Sequence, residues 1–466
     1  MKTRSEKDSL GSLSVPADAY YGVQTARAVE NFPISGQKAH PAFIWATAAV
    51  KKATAQTNKE LGLIDEKVGN AIVRAAEEVM EGEFDDQFVV DVFQAGAGTS
   101  HHMNANEVIA NRAIEILGGN KGDYHLVHPN DHVNFGQSTN DVFPTAMRLA
   151  ILKALPDLLK SLKNLSRSFR KKRTEFVSVI KSGRTHLQDA VPVTLGQEFG
   201  AYALAIKKAT RDIERAAEEL KVLGIGGSAT GTGLNTHPQY RFRVVQILGK
   251  ILKTELKASE NLFESMQSLR PFANFSASLR NLALELTRIA NDLRLLSSGP
   301  NTGLNEIVLP AVQPGSSIMP GKVNPVMAEM LNMVCFQVIG HDATVALAVQ
   351  AGQLELNVMM PVVIHNILSA MHILTNALTV FEAKCVTGIE ANQEKCREYF
   401  GKSLGLATVL NSLIGYDGAA RVMKQALREK KTVLQVIEEN SILTKDQIEK
   451  IFAPEHLTQP GLPHLK

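Results

Sequence analysis

Apolar residues recur along the middle of this chain at helical spacing. Phe272, Phe275, Leu279, Leu282, Leu286, Ile289, Leu293 and Leu296 are separated by alternating steps of three and four. Such an a/d stripe, held for several heptads, predicts one long helix with a continuous apolar seam. Ser298-Gly299-Pro300 then supply a stop. Leu155, Leu158, Leu162, Leu165 and Phe169 repeat the spacing earlier, and residues 326–350 and 362–384 add long apolar stretches of helical character. Helices of this length exceed the globular mean of about 11–12 residues, and none buries its stripe alone. The pattern predicts a mainly α protein built on a central long-helix bundle and extended by oligomerisation.

The flanks are paced differently. Residues 42–60 and 65–82 read as helices, and Ser14–Gly22 as a loop or short hairpin. From about residue 392 the periods are shorter and the charges denser. Three domains are therefore drawn for the 466 residues: a mixed, mostly helical N-terminal domain over 1–137, the bundle over 138–391, and a small helical C-terminal domain over 392–466.

Composition narrows the function classes. Apolar residues make up 44% of the chain but aromatics only 6%, which suits aliphatic helix packing better than a β-sandwich. The net charge of +3 argues against a nucleic-acid partner, and Arg170-Lys171-Lys172-Arg173 reads as a solvated helix face. Cys335, Cys385 and Cys396 are too few and too scattered for a disulfide framework, which fits a reducing setting. The polar stretch Met1–Asp8 has no signal-peptide core, and no uninterrupted apolar run reaches the ~18 residues of a membrane span. The expectation is a cytoplasmic protein with no membrane partner.

The richest chemistry lies in Gly315-Ser316-Ser317-Ile318-Met319-Pro320-Gly321-Lys322-Val323-Asn324. Glycines let a backbone turn and present its N–H groups, while Lys322 is a point cation and Asn324 both donates and accepts. The segment reads as an anion-gripping loop that places a serine beside its ligand, or else as a polar connector between helices. Three further segments set hydroxyl or amide side chains beside glycine: Gly96–Asn104 with Thr99, Gly136–Asp141 with Ser138, Thr139 and Asn140, and Ser182–Asp189 with Thr185 and His186. Each sits near a predicted helix start, where N–H groups favour anions. Helix capping is the alternative for each. His125, His128 and His132 have helical spacing, but Pro129 interrupts them and no acidic or Cys ligand stands at a matching offset, so no metal is expected. The glycines of 224–233 lack a P-loop lysine and read as a tight structural turn.

Together these segments resemble the aspartase/fumarase superfamily, whose signature Gly-Ser-Ser-x-x-Pro-x-Lys-x-Asn is met at 315–324. The resemblance runs from Tyr20-Tyr21-Gly22-Val23-Gln24-Thr25 to the C-terminal region. Tyr21, Ser138-Thr139-Asn140, Gly303–Ile307 and Gly388–Asn392 lean to the aspartase branch, whereas His128–Asn134 and Gly231–Pro238 look like fumarase. His102 stands where the family usually has Asn, Gly136 where it has Ser, and Met360 in place of an acidic residue common in aspartases.

The resemblance implies a three-domain superfamily fold and reversible elimination of ammonia from L-aspartate to give fumarate. The alternatives are a fumarate hydratase acting on L-malate and a catalytically silent bundle scaffold. It implies that Ser316 takes the Cβ proton and that Thr99, Ser138, Thr139 and Ser317 hold the β-carboxylate. Lys322 and Asn324 would hold the α-carboxylate, with Asn140, His186 and Thr185 near the amino group and Glu329 pairing with His186. No metal or organic cofactor is required, and nothing in the sequence predicts activation by a divalent cation. The partners implied are the small substrate and three further copies of the chain, in a homotetramer whose sites are shared between subunits.

Overall fold

The computed structural model describes residues 2–462. In chain order it contains β1 (Thr3–Asp8), β2 (Gly11–Pro16), α1 (Val23–Asn31), α2 (Pro41–Glu60), α3 (Glu66–Met80), α4 (Thr99–Ile116) and α5 (Thr139–Glu175). These are followed by β3 (Ile180–Thr185), β4 (Gln188–Thr194), α6 (Leu195–Glu218), α7 (Tyr240–Leu252), α8 (Leu262–Gln267), α9 (Arg270–Leu296), α10 (Val326–Gln350) and α11 (Met360–Lys384). Short helices make up most of the rest, from Gln393–Lys402 to Pro454–Leu457. The molecule is mainly α, as the periodicity predicts.

The chain divides into two compact units, both discontinuous. The first holds Met1–Leu159, Arg211–Ala283 and Phe336–Thr375, and the second holds Lys160–Thr210, Leu284–Cys335 and Asn376–Lys466. Residues 1–137 fall in the first and 392–466 in the second, while 138–391 is divided between them.

In the first unit, β1 and β2 form the hairpin expected before Gly22, pairing Thr3 with Pro16 and Asp8 with Gly11. Helix α2 starts on Pro41, whose missing N–H costs nothing there, and His40 Nδ1 accepts from Ala42 N. Asp65 caps α3 by accepting from Lys67 N and Val68 N. The two helices pack with α4 around Ile72, Ala75, Ile109, Ala113, Ile114 and Val127, all buried. In the second unit, Leu406, Leu410, Val433, Val436 and Ile437 form a separate C-terminal core. Capping boxes at Thr432/Gln435 and Thr444/Gln447 start its short helices.

The stripe of α9 is fully inside the chain: Phe272, Phe275, Leu282, Leu286, Ile289 and Leu293 are each 0% exposed. The uncovered surface lies on α10. One face of that helix buries Leu331, Cys335, Val338 and Val345, yet Met333, Phe336 and Leu347 on another face are exposed. Gly340 and Ala343 continue the exposed line, so its steps are 3, 4, 3 and 4. An apolar helix with two apolar faces has an unusually high average hydropathy. By length and composition α10 and α11 could each cross a membrane. The uninterrupted-run criterion overlooks them because Asn332, His341 and Asp342 break α10. The uninterrupted run is absent, as the sequence reading has it, and the apolar residues of α10 are distributed over two faces.

Candidate functional site

The candidate residues fall into both units, and each half is built by its own elements. In the first unit the backbone turns sharply at Ala97 (φ 62°) and Gly98 (φ 87°) before α4 begins at Thr99. A Cβ on Gly98 would lie 2.0 Å from the Phe143 ring, so only glycine fits. Thr99 is exposed at the first turn of α4 and, with Arg27, Ser100, Tyr124, His128 and Asn130, lines a cleft of about 600 Å³.

At the start of α5 the capping reading applies to Ser138. Ser138 caps the helix: its Oγ accepts from Asn140 N at 3.2 Å, and its own N–H donates to Asp141 Oδ1 at 3.0 Å. Asp141 also accepts from Gly226 N at 2.9 Å and Ser228 N at 3.1 Å. Asn140 Nδ2 donates to Ala229 O at 2.8 Å. The glycine-rich turn of 224–233 is thus bound to the helix start. Burial pushes the Asp141 carboxyl up to about 6 against those backbone donors.

Thr139 has a different partner. Its Oγ1 lies 2.7 Å from His102 Nδ1, and His102 Nε2 lies 2.6 Å from Lys51 Nζ. Lys51 Nζ further donates to Asn134 Oδ1 at 2.9 Å and Gln137 Oε1 at 2.8 Å. Lys51 and His102 are both buried. Burial holds the Lys51 ammonium well below its ordinary value. Burial, and secondarily the Lys51 charge, hold His102 well below its own. His101 points elsewhere: its Nε2 is 3.0 Å from Thr47 Oγ1, its ring stacks on Phe43 at 4.6 Å, and burial lowers it to about 3.

The other histidine cluster is used locally. His128 Nδ1 accepts from Asn130 N and Asp131 N, and His132 Nδ1 accepts from His128 N. Among the described residues no group of three His, Cys, Asp or Glu side chains is placed to hold a metal ion.

In the second unit, β3 and β4 form a hairpin whose last pair is Thr185 with Gln188. His186 (φ 54°) and Leu187 (φ 58°) make the two-residue turn, both left-handed. That is the geometry of a type I′ turn, usually filled by Asn-Gly. A bulky Leu there is strained by roughly 1 kcal/mol, and strain of this kind gathers at functional sites. Thr185 and His186 are both exposed. The hairpin is anchored from below by Glu306, which is 0% exposed. Glu306 pairs with Lys181 at 2.8 Å and accepts from Arg184 Nη1 on both oxygens at 2.9 and 3.0 Å.

The 315–324 loop is closed on itself. Gly315 N donates to Lys322 O at 2.7 Å, and Asn324 Nδ2 donates to Gly315 O at 2.6 Å. Inside that ring Ser316 Oγ accepts from Ile318 N at 3.2 Å and Met319 N at 3.0 Å. Ser317 and Lys322 are exposed, and Ser316 is half-buried. Glu329 lies in the first turn of α10, and among the described residues no hydrogen bond joins it to His186.

A family model described as lyase matches residues 11–340, and one described as the fumarase C C-terminus matches residues 406–459. An aspartate ammonia-lyase from a Bacillus species is 49% identical over 462 residues, 98% of each chain. The chain belongs to the aspartase/fumarase superfamily. The aspartate ammonia-lyase of Escherichia coli K12 is 47% identical over 461 residues, 98% of this chain and 96% of that one. Two solved structures of the superfamily share the fold. A fumarate lyase:delta crystallin from Brucella melitensis, bound to cobalt, superposes with a TM-score of 0.96 at 50% identity over 98% of this chain and 100% of that one. A class II fumarase from Schistosoma mansoni gives a TM-score of 0.95 at 39% identity over 98% and 100%.

Within this superfamily scaffold, two groups went unread in the sequence. Lys51 had a visible signal. Thr47, Lys51, Thr54 and Asn58 form a polar line at steps of 4, 3 and 4 through an Ala- and Val-rich helix, and all four are buried. Glu306 lies within the Gly303–Ile307 segment, but its anchoring role had no signal, because its partners Lys181 and Arg184 are more than 100 residues away along the chain.

Proposed function

We propose that this chain is a carbon–nitrogen lyase that eliminates ammonia reversibly from L-aspartate, giving fumarate. The identity of 47–49% with aspartate ammonia-lyases over nearly the whole length supports this substrate. The observation that carries the mechanism is the setting of Ser316. A serine hydroxyl is a weak base at its ordinary pKa, and two N–H groups already aimed at its oxygen stabilise the alkoxide. In the proposed step Ser316 Oγ takes the Cβ proton and the electron pair moves into the β-carboxylate as an aci-carboxylate. The pair then forms the Cα–Cβ double bond as the C–N bond breaks and ammonia leaves. Thr99, Ser138, Thr139 and Ser317 hold the β-carboxylate; Lys322 and Asn324 hold the α-carboxylate; Asn140, Thr185 and His186 attend the amino group, and Glu329 supports His186. Hydrogen bonds directed at the developing charge supply most of the rate enhancement. The substrate's own carboxylate is the electron sink, so the step draws on no metal or organic cofactor.

The test follows fumarate by its ultraviolet absorbance. Wild type converts L-aspartate to fumarate, and Ser316→Ala loses about a thousandfold or more in kcat. Retained turnover in that variant would remove Ser316 from the role of base. The rival reading, hydration of fumarate, is favoured by the likeness to class II fumarase. Fumarate formed from L-malate but not from L-aspartate would establish it.

We also propose a cytoplasmic homotetramer. Its support is α10, where Met333, Phe336 and Leu347 are 67%, 59% and 64% exposed along one line. An apolar line of that length on a helix is the surface by which helices of separate chains associate.

A further inference from the structure

We propose that Lys51 and His102 form a buried positioning relay that sets the Thr139 hydroxyl as a hydrogen-bond donor toward the substrate carboxylate. This rests on the functional reading above, in which Thr139 contacts that carboxylate. The argument begins with donor counts. An ammonium has three N–H donors and no acceptor, and Lys51 Nζ has three neighbours at hydrogen-bond distance: Asn134 Oδ1, Gln137 Oε1 and His102 Nε2. The two amide oxygens can only accept. If Lys51 is an ammonium, His102 Nε2 must accept the third hydrogen. A neutral imidazole that accepts at one nitrogen carries its hydrogen on the other, so Nδ1–H donates to Thr139 Oγ1 at 2.7 Å. Thr139 Oγ1 then spends a lone pair on His102, and its own hydrogen is directed away, outward from the first turn of α5.

The opposite proton arrangement is chemically distinct. A neutral Lys51 would accept from Nε2–H, His102 Nδ1 would accept the Thr139 hydrogen, and Thr139 would offer only lone pairs outward. That arrangement repels an anion. The two differ by the position of protons in one chain of hydrogen bonds. Burial works against the ammonium form and the buried Asp141 carboxylate works for it, while the two amide oxygens and the imidazole nitrogen around Nζ offer one acceptor for each N–H of an ammonium.

An Asn in place of His102 shows what the imidazole contributes. The amide nitrogen of Asn stands at the same distance from Cβ as Nδ1 of His, so it preserves the donor to Thr139. What His102 adds is Nε2, and with it a connection from a buried cation to a group that holds the substrate. Lys51 and His102 are positioning residues, since neither is assigned a contact with substrate.

Two variants separate the halves of the relay. His102→Asn keeps a donor for Thr139 and gives up the Lys51 link. His102→Gln puts an amide oxygen near the Nε2 position, keeps the Lys51 link and removes the donor to Thr139. The expected result is that His102→Asn retains kcat/KM for L-aspartate within about tenfold while His102→Gln loses about a hundredfold or more, the scale of one oxyanion donor. The loss should appear in kcat more than in KM, because the carboxylate charge grows in the transition state. Equal kinetics in the two variants would overturn the proposal. Should either variant fail to fold, neutron diffraction from wild-type crystals in D2O decides the matter. Deuterium on His102 Nδ1 with three deuterons on Lys51 Nζ supports the relay, and deuterium on Nε2 refutes it. Absence of fumarate formation by wild type would instead sink the functional reading, a result distinct from either outcome.

Discussion

Single buried charges carry much of the organisation of this molecule, and Glu306 is the plainest case. Its carboxylate is removed from water and shared by Lys181 and Arg184, the two cations of the strand that leads to Thr185 and His186. Removing it leaves Arg184 without its carboxylate, although Lys181 keeps Glu198 at 2.9 Å, and breaking a buried ion pair costs about 3–5 kcal/mol. Glu306→Ala is therefore expected to lower stability by that amount in denaturant titration of folded protein. Glu306→Gln, which keeps the shape and one acceptor, should lose less. A loss under about 1 kcal/mol for the alanine variant would show that water replaces the carboxylate cheaply. Lys51 is a buried titratable group of the first unit whose hydrogen-bond partners are amides and an imidazole. Neither residue is conspicuous in a one-dimensional reading. A lone Lys in a helix is ordinarily a surface residue, and only the buried polar line from Thr47 to Asn58 distinguishes this one.

Elements meet through a few placed contacts, and one of them titrates. Glu78 near the end of α3 accepts from Arg112 of α4, with Nη2 at 3.2 Å from Oε1. The Arg112 guanidinium holds the Glu78 carboxyl below its ordinary 4.5, outweighing the opposing effect of burial. A carboxyl depressed in the folded state adds stability above its unfolded pKa, and that addition is lost as pH falls through the folded value. The difference in melting temperature between wild type and Glu78→Gln should therefore be constant above about pH 4.5 and shrink below it. A difference that grows on acidification would contradict this sign. The elements themselves were legible for a physical reason. Helices α2, α3, α9, α10 and α11 fall within a few residues of their expected bounds because each has an apolar seam at helical spacing. The turn at His186-Leu187 was not legible, since left-handed turns are signalled by Gly and Asn and here both residues are bulky.

At the scale of the whole molecule, the stripe that announced the bundle proves to be internal, and the surface left open is on α10. A helix with one seam buries it, whereas α10 carries a second apolar line that its own chain leaves exposed. The candidate site was legible as four separate segments and not as a geometry, because the residues that orient them pair with groups distant along the chain: Lys51 with His102, Asp141 with Gly226, and Glu306 with Arg184. The proposed assembly gives a direct expectation. Phe336→Glu with Leu347→Glu places two carboxylates on the exposed line and should convert a tetramer of 50.7 kDa chains to smaller species. Light scattering coupled to gel filtration measures the mass. Turnover should fall with the tetramer if subunits share sites, and full activity in a monomer would remove sharing from the account.

The clasp in the 315–324 loop bears on the substrate affinity of the proposed site. Two hydrogen bonds at Gly315, one donated by its N–H to Lys322 O and one accepted by its carbonyl from Asn324 Nδ2, close the stretch into a small ring, with Ser316 already turned onto its own backbone. Ordering a free loop of this size on a ligand would cost conformational entropy at every residue. A ring can move as a unit about its two ends, so most of that cost was met when the chain folded. In the proposed site, substrate selects a position of the loop and not a shape for it. Binding energy that a disordered lid would consume remains available to the transition state.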